Sequence, residues 1–219
     1  MLVLLPPSEG KARPETGEPV DLGSLAFAAE LSAAREAALD ALDPGLRAAP
    51  AAPAAEIYTG VLFDRLRLPE LPAKARRRVL IASFLWGVVR PDDRIPTYRF
   101  SPKTRLDGIG PPAAYWRPAL SAALPDKAGE LIVDMRSAAY SAAWKPKRAT
   151  LLAVRAFSES DGARKPISHM AKAVRGEVAR ALLLAKKAPG DVEAAAAIAE
   201  AAGFTVELTP GSLDVIVAS

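Results

Sequence analysis

Short apolar runs alternate with helical segments along this chain, and that alternation constrains its fold more than any other feature. The runs "MLVLL" at 1–5, "ELIVDM" at 130–135 and "ATLLAVRAF" at 149–157 have the length of buried strands. Residues 25–42 and 168–187 instead carry helical periodicity, and Ser24 is predicted to cap the first of these two helices. Because strands and helices interleave without the strict repeat of a doubly wound sheet, the sequence predicts a mixed α/β, α+β-like fold.

The remaining segments complete a single domain, predicted to span residues 1–219 with one mixed β-sheet and surrounding helices. The run "VLIASFLWGVV" at 79–89 is apolar on both faces and fits either a buried strand or the start of a helical hairpin. A short helix is predicted to begin near Gly60. Further helices are predicted within 113–124, 137–144 and 191–203, and the pattern at 204–218 predicts a terminal β-hairpin.

Composition excludes several kinds of site. The chain has no cysteine and one histidine, His169, so disulfides, thiolate nucleophiles and histidine-rich metal centres are excluded. The sequence contains no nucleophile elbow, Walker motif or dinucleotide glycine fingerprint. We therefore predict no metal and no cofactor. The opening residues carry no basic leader, and no apolar run reaches spanning length, which predicts a cytoplasmic protein without a membrane partner.

Basic charge is concentrated in the middle of the chain. Residues 70–180 hold 21 Lys and Arg against 10 Asp and Glu, whereas residues 1–69 hold 6 against 10. Such a concentration predicts a basic face or cleft that binds a polyanion. The alternative is a solvated surface on which each arginine has a local carboxylate.

Small motifs that mix cations with aromatic rings follow the predicted strands. Because open sheets bind ligands beyond their strand ends, these motifs are candidate site residues. Cations and flat rings together are typical of a nucleic-acid or nucleotide site. For Trp86 a place in the core is favoured over a stacking platform, Asp134 and Arg136 also fit a structural pair, and "KPKR" at 145–148 is most often a solvated turn. The candidates for nucleic-acid or anion binding are Lys11, Tyr58, Trp86, Arg90, Tyr98, Arg99, Arg136, Lys147, Lys172 and Arg175.

The motifs "PPSEGK", "YTG", "LWGVVRPDDRIPTYR", "VDMRSAAY", "KPKR" and "AKAVRG" occur in an order that resembles the YaaA peroxide-stress family. The resemblance spans residue 1 to about 185. It implies a single-domain mixed α/β fold with a helix-hairpin-helix-like element. It also implies a positively charged cleft that binds DNA, and a role in limiting oxidative damage to DNA under hydrogen peroxide.

Family positions carry over to particular residues of this chain. The basic residue of the opening loop is Lys11, and the implied hairpin falls at 85–91 with Arg90 as its cation. The partners of that loop are Asp93, Tyr98 and Arg99, and the late helix contributes Lys172, Arg175 and Gly176. The hairpin holds one glycine, Gly87, where a helix-hairpin-helix loop has two.

Two functions follow as predictions. The first is a DNA-binding protein of the peroxide response that contacts the backbone of single- or double-stranded DNA without sequence preference. The alternative is an enzyme that acts on a nucleotide, a nucleobase or a DNA lesion in the same cleft, and a nucleotide or another small anion is the alternative partner. Direct iron sequestration is disfavoured, because only carboxylates could ligate the metal. The candidate catalytic residues are Ser8, Glu9, Lys11, Asp93, Asp134 and Tyr140.

Overall fold

An eight-stranded mixed sheet forms the centre of the protein. The computed structural model describes residues 1–100, 104, 108–160, 163–167 and 169–218. The strands of this sheet are β1 (Leu2–Leu5), β3 (Val79–Ser83), β4 (Gly87–Val89), β6 (Leu131–Asp134), β7 (Thr150–Ser160), β8 (Ala163–Pro166), β9 (Thr205–Thr209) and β10 (Ser212–Ala218). They are arranged in the order β4-β3-β1-β6-β7-β10-β9, and β8 pairs with β7. A separate two-stranded sheet pairs β2 (Ala51–Pro53) with β5 (Arg94–Pro96).

Five neighbouring strands of the large sheet run parallel, and the strands outside them run antiparallel. Strands β3, β1, β6, β7 and β10 share one direction. Strands β4, β8 and β9 pair antiparallel with β3, β7 and β10. Strand β1 is buried along its whole length, as expected for a parallel strand covered on both faces. The predicted mixed α/β fold and mixed sheet are confirmed.

Eight helices are described, together with 3-10 helices at Pro44–Ala48 and Leu68–Glu70. The helices are α1 (Ala28–Leu42), α2 (Ala54–Ile57), α3 (Val61–Leu66), α4 (Ala73–Arg76), α5 (Pro112–Ala123), α6 (Ala138–Ser141), α7 (His169–Leu184) and α8 (Val192–Ala201). The helix predicted near Gly60 is confirmed as α3, and the late basic helix as α7, although residue 168 lies outside the described residues.

Helix α1 begins three residues later than predicted, and Ser24 does not cap it. The residue before the helix is Phe27, which has a left-handed backbone conformation with φ of 59° and offers no side-chain cap. The Ser24 hydroxyl donates instead to the Asp21 carbonyl at 2.8 Å. This bond closes a short turn before the helix, so the Ser24 hydroxyl is engaged there and does not cap α1.

The predicted helix-hairpin-helix element at 85–91 is wrong, because this segment belongs to a β-hairpin. Strand β4 pairs antiparallel with β3, with Ser83 opposite Gly87. The Ser83 hydroxyl accepts hydrogen bonds from the backbone of Leu85 and Trp86, each at 3.1 Å, and holds the turn. Gly87 has φ of +70°, and a side chain there would lie 2.7 Å from the Trp116 ring. Gly87 therefore allows the turn between β3 and β4 and makes room for the Trp116 ring.

Helices α3 and α7 pack closely because residue 176 is glycine. A Cβ atom at Gly176 would collide with the Leu62 carbonyl oxygen and lie 2.9 Å from the Cβ atom of Arg65. This close approach brings Lys172 and Arg175, on the same helix, to the end of the sheet where β1 and β6 finish.

Candidate functional site

The carboxyl ends of β1 and β6 open into a cleft. From β1 the chain leads to β3 on one side, and the later strand β6 pairs on the other side, so the strand order reverses at β1. In open sheets such a reversal leaves a crevice that receives ligands. Here the crevice is a cleft of about 410 Å³, which we name the strand-end cleft. Its lining includes Pro6, Pro7, Ser8, Glu9, Gly10, Gly60, Phe63, Phe100, Ser137, Tyr140, Lys172 and Arg175.

A second cleft adjoins the first, and Glu9 and Gly10 line both. We name it the Lys11 cleft; its volume is about 740 Å³. Its lining is Glu9, Gly10, Lys11, Arg13, Leu42, Asp43, Leu46, Thr97, Tyr98 and Arg99. Among the described lining residues, the two clefts together carry five cations and two carboxylates, so the joint surface is basic.

Backbone pairing holds the loop after β1 in place. The Ala12 amide donates to the Ile57 carbonyl at 2.8 Å, and the Thr59 amide donates to the Gly10 carbonyl at 3.1 Å. The Ser8 hydroxyl donates to the Thr59 carbonyl. Gly60 has φ of +101°, and a side chain there would approach the Ser8 hydroxyl to 3.0 Å. The "PPSEGK" and "YTG" motifs therefore form one structural unit.

Lys11 is the half-buried cation of this unit. Its Nζ atom donates to the Ser8 carbonyl at 2.5 Å and lies 4.5 Å from the centre of the Tyr98 ring and 5.6 Å from that of Tyr58. Among the described residues, no carboxylate forms an ion pair with Lys11. Burial lowers the Lys11 pKa to about 8, although the nearby charge of Glu9 acts in the opposite direction.

Below Lys11, three buried hydroxyls form a chain. The Tyr98 hydroxyl lies 2.8 Å from that of Tyr58 and 2.7 Å from that of Ser83. Burial raises the Tyr98 pKa to about 12 and raises the Tyr58 pKa well above its ordinary value. Trp86 is fully buried and meets Tyr98 edge to face at 6.0 Å. These three rings are buried in the core, so they do not offer the exposed faces on which a base could stack.

Asp134 and Arg136 form a buried ion pair. The guanidinium Nε lies 2.8 Å from one carboxylate oxygen and its Nη2 atom lies 2.9 Å from the other. The Arg136 Nη2 atom also donates to the Trp144 carbonyl at 2.9 Å. This is the structural pair given above as the alternative for these two residues, which are two positions apart in the chain. Because each charge is neutralised inside the protein, Asp134 is not exposed as a base and Arg136 is not exposed as a phosphate ligand.

Arg90 and Asp93 lie away from both clefts. Strand β4 runs antiparallel to β3 and carries Arg90 back toward the amino end of β3, where its guanidinium donates to the Arg77 carbonyl at 2.6 Å. The Asp93 carboxylate accepts hydrogen bonds from the backbone of Ala26 and Arg90. Burial raises the Asp93 pKa, while these bonds and the charge of buried Arg35 oppose the increase. Both predicted residues therefore stabilise the connection after β4.

Lys147 also lies at the amino edge of the sheet. It precedes β7, which runs parallel to β6, so the two strands begin at the same edge and the strand-end cleft is at the other. The Asp126 carboxylate accepts hydrogen bonds from the backbone of Lys147, Arg148 and Ala149, each at 2.8 Å. These bonds lower the Asp126 pKa. The "KPKR" segment is thus an anchored turn with exposed side chains.

The other predicted residues do meet at the clefts. Ser8, Glu9, Tyr140, Lys172 and Arg175 line the strand-end cleft. The Tyr140 ring stacks on Phe84 with ring centres 4.3 Å apart, and burial raises the Tyr140 pKa, so its hydroxyl stays protonated at neutral pH. The Arg175 Nε atom donates to the Val154 carbonyl at 2.9 Å, and burial lowers the Arg175 pKa.

Arg13 is a cleft cation that the sequence analysis missed. It lines the Lys11 cleft with Lys11 and Arg99. A usable signal was present, because Lys11 and Arg13 lie two positions apart in a segment that pairs as extended backbone with residues 57–59. Residues with that spacing point to the same side of an extended chain.

In the described part of the chain, no three His, Asp or Glu side chains come close enough together to hold a metal ion. Across the same residues, none of the helices combines the length and the apolar character needed to cross a bilayer.

Comparison with known proteins gives one consistent result. The family profile described as peroxide stress protein YaaA matches residues 18–208. A UPF0246 protein of Streptomyces coelicolor is 43% identical, covering 99% of this chain and 98% of the relative. UPF0246 proteins of Corynebacterium glutamicum and Corynebacterium efficiens are 37% and 38% identical, each covering 96% of both chains. Because the match extends over most of its length, this chain belongs to the YaaA family of peroxide stress proteins.

Proposed function

We propose that this protein binds DNA through the phosphate backbone along the strand-end cleft and the Lys11 cleft, as its part in peroxide defence. The observation that carries the proposal is the gathering of five cations around the strand-order reversal: Lys11, Arg13, Arg99, Lys172 and Arg175. Lysine and arginine are the side chains that neutralise phosphates in protein–DNA contacts.

Backbone contact suits these residues better than base recognition. Arg13, Arg99 and Lys172 are exposed, so their charges can follow a phosphodiester chain. The aromatic rings beside Lys11 are buried and offer no stacking surface. Base contacts are what carry sequence information, so binding is expected to show little sequence preference.

The test compares two lysines that differ in location. Fluorescence anisotropy is measured on labelled single-stranded and duplex DNA over a range of salt concentrations. Wild-type affinity is expected to fall with salt, with a slope of up to about −4.5 on logarithmic axes if all five cations contact phosphate. Lys172→Glu is expected to reduce affinity roughly tenfold and to make the slope shallower by about one.

Lys147→Glu is the matched control, since it makes the same charge change at the opposite edge of the sheet. Its affinity for DNA is expected to stay within about twofold of wild type, because salt largely screens the interaction of DNA with a charge at that distance. Equal losses in Lys147→Glu and Lys172→Glu would contradict binding in the clefts. An affinity that does not change with salt would contradict backbone contact altogether.

A second candidate is an enzyme that acts on a nucleotide, a nucleobase or a DNA lesion in the same place. One observation favours it: Glu9, Lys11 and Tyr140 supply a carboxylate, a half-buried amine and a protonated hydroxyl around adjoining clefts. Such groups can act as base, nucleophile and acid. Recovery of chemically altered DNA from the binding reactions would favour the enzyme, and intact DNA would favour the binder. Binding of free nucleotides without DNA would identify a small anionic ligand.

A further inference from the structure

Lys11 is the more firmly held of the two lysines that line the clefts. Its backbone pairs with Tyr58, its Nζ atom donates to the Ser8 carbonyl at 2.5 Å, and the Tyr98 ring lies beneath it at 4.5 Å. Lys172, in contrast, is exposed on the surface of α7. A phosphate contact needs only a reachable charge, whereas a reacting group needs a defined position.

We infer that Lys11 is a nucleophile whose amine forms an imine with the aldehyde of an abasic deoxyribose in bound DNA. The inference rests on the DNA binding proposed above and assigns a chemical step to the same site. Of the five cleft cations, only Lys11 and Lys172 carry an amine. The other three are arginines, whose guanidinium group does not lose its proton in proteins and so cannot act as the nucleophile.

The environment of Lys11 supports this reactivity. An amine attacks a carbonyl only in its neutral form. Burial shifts the Lys11 pKa to about 8, so a substantial fraction of the amine is neutral just above neutral pH. Among the described residues, no carboxylate forms an ion pair with the ammonium group, and the charge of Glu9 favours the charged form less than burial disfavours it.

The step balances without an oxidant or a metal. The nitrogen lone pair attacks C1′ of the ring-opened sugar, the C=O π bond breaks, and one of the two amine protons moves to the oxygen to give a neutral carbinolamine. The remaining N–H proton then moves to the hydroxyl group, the C–O bond breaks to release water, and a C=N bond is left. Glu9 lines both clefts and interacts electrostatically with Lys11, so its carboxylate is the group positioned to take the nitrogen proton and pass it to the leaving hydroxyl.

A sugar without a base fits the surroundings of Lys11. A flipped base is normally stacked between open aromatic or apolar faces. The rings next to Lys11, Tyr58 and Tyr98, are buried and engaged by their hydroxyl chain. Arg13 and Arg99 line the same cleft and can neutralise the phosphates on either side of the missing base.

The test is reductive trapping. The full chain is mixed with a labelled duplex that contains one abasic site, and sodium borohydride reduces any imine to a stable amine. Wild type is expected to give a covalent protein–DNA product whose modified peptide contains Lys11. Lys11→Arg keeps the positive charge but lacks the amine, and is expected to lose trapping at least about a hundredfold. Trapping is normalised to the fraction of DNA bound, measured by anisotropy for each variant.

Lys147→Arg, outside the clefts, is the matched control and is expected to trap like wild type. Full trapping by Lys11→Arg, or modification at another lysine, would overturn the inference. Binding of the abasic duplex without any trapping would overturn it while leaving the DNA-binding proposal intact. Deoxyribose 5-phosphate serves as a second probe with the same aldehyde. If wild type trapped this sugar at Lys11 but did not bind DNA, the DNA-binding proposal would be overturned and the role of Lys11 as a nucleophile would be supported.

Discussion

The Lys11 ammonium nitrogen lies 4.5 Å from the centre of the Tyr98 ring, and the Tyr98 hydroxyl is hydrogen-bonded to Ser83 and Tyr58. Lys11 therefore contacts the face of a buried ring, and hydrogen bonds to core residues fix the position of that ring. A cation above a ring face gains electrostatic attraction but loses hydration. Burial lowers the pKa of Lys11 to about 8, so the loss of hydration works against its charged form at this position.

Replacing Lys11 with methionine is expected to stabilise the protein below pH 8. The Lys11 pKa is about 8 in the folded protein against an ordinary value of 10.5, so between these values the unfolded chain binds more protons and stability rises with pH. The cost of the charge is therefore fully present below pH 8 and disappears above pH 10.5. Allowing for partial exposure and the lost ring contact, Lys11→Met should gain about 1 kcal/mol at pH 7.

Urea denaturation at pH 7 and pH 10.5 measures this gain. The charged and titratable groups beside Lys11 are Glu9, Tyr58 and Tyr98. Arg13, Asp43 and Arg99 line the same cleft. Lys172→Met, at an exposed position, is expected to change stability by less than about 0.5 kcal/mol at either pH. A gain for Lys11→Met that is independent of pH would contradict the explanation by charge burial.

Tyr98→Phe is expected to destabilise the protein by about 1–3 kcal/mol, because it leaves the buried Tyr58 hydroxyl without its partner. Tyr115→Phe is the comparison, since its half-buried hydroxyl makes one bond, to the Ala34 carbonyl at 2.7 Å, and should cost about 1 kcal/mol or less. Denaturant midpoints measure both. If Tyr115→Phe cost as much as Tyr98→Phe, the hydroxyl chain would not be a distinct source of stability.

Gly176→Ala is expected to destabilise by about 1–3 kcal/mol, because the added methyl group meets the Leu62 carbonyl and forces α3 and α7 apart. Gly190→Ala is the control: a Cβ atom there meets no atom of the described residues within 4 Å. Thermal unfolding of both variants gives the comparison. Since Lys172 and Arg175 are on α7, Gly176→Ala should also weaken DNA binding. If the stability of Gly176→Ala equalled that of wild type, the two helices would tolerate the extra methyl group and the packing argument would be wrong.

Arg136→Met is expected to cost about 3–5 kcal/mol, because it leaves the Asp134 carboxylate buried without its partner. The double variant Asp134→Leu with Arg136→Met removes both charges and should be less destabilised than Arg136→Met alone. A double-mutant cycle in urea measures the coupling. Additive costs would mean that the two side chains act independently.

Much of the fold was predictable because strand and helix signals are local. Strand β1 has an uninterrupted apolar run, and α7 has helical periodicity. The exceptions depend on contacts from elsewhere in the chain. The segment at 85–91 became a β-hairpin because β3 was available as a partner and the Trp116 ring packs against Gly87. Periodicity over so short an apolar run cannot distinguish these outcomes.

The sequence by itself determined the mixed α/β fold, the family and the residue types of a cationic site, because all of these lie in local patterns and in the order of motifs. Only the tertiary structure decided which cations share a cleft. Parallel pairing places Lys11 and the α7 residues Lys172 and Arg175 at the carboxyl edge of the sheet, but Arg90 and Lys147 at the amino edge. The edge that a residue reaches depends on the direction of its strand within the sheet, which is a property of the paired strands and not of any single segment.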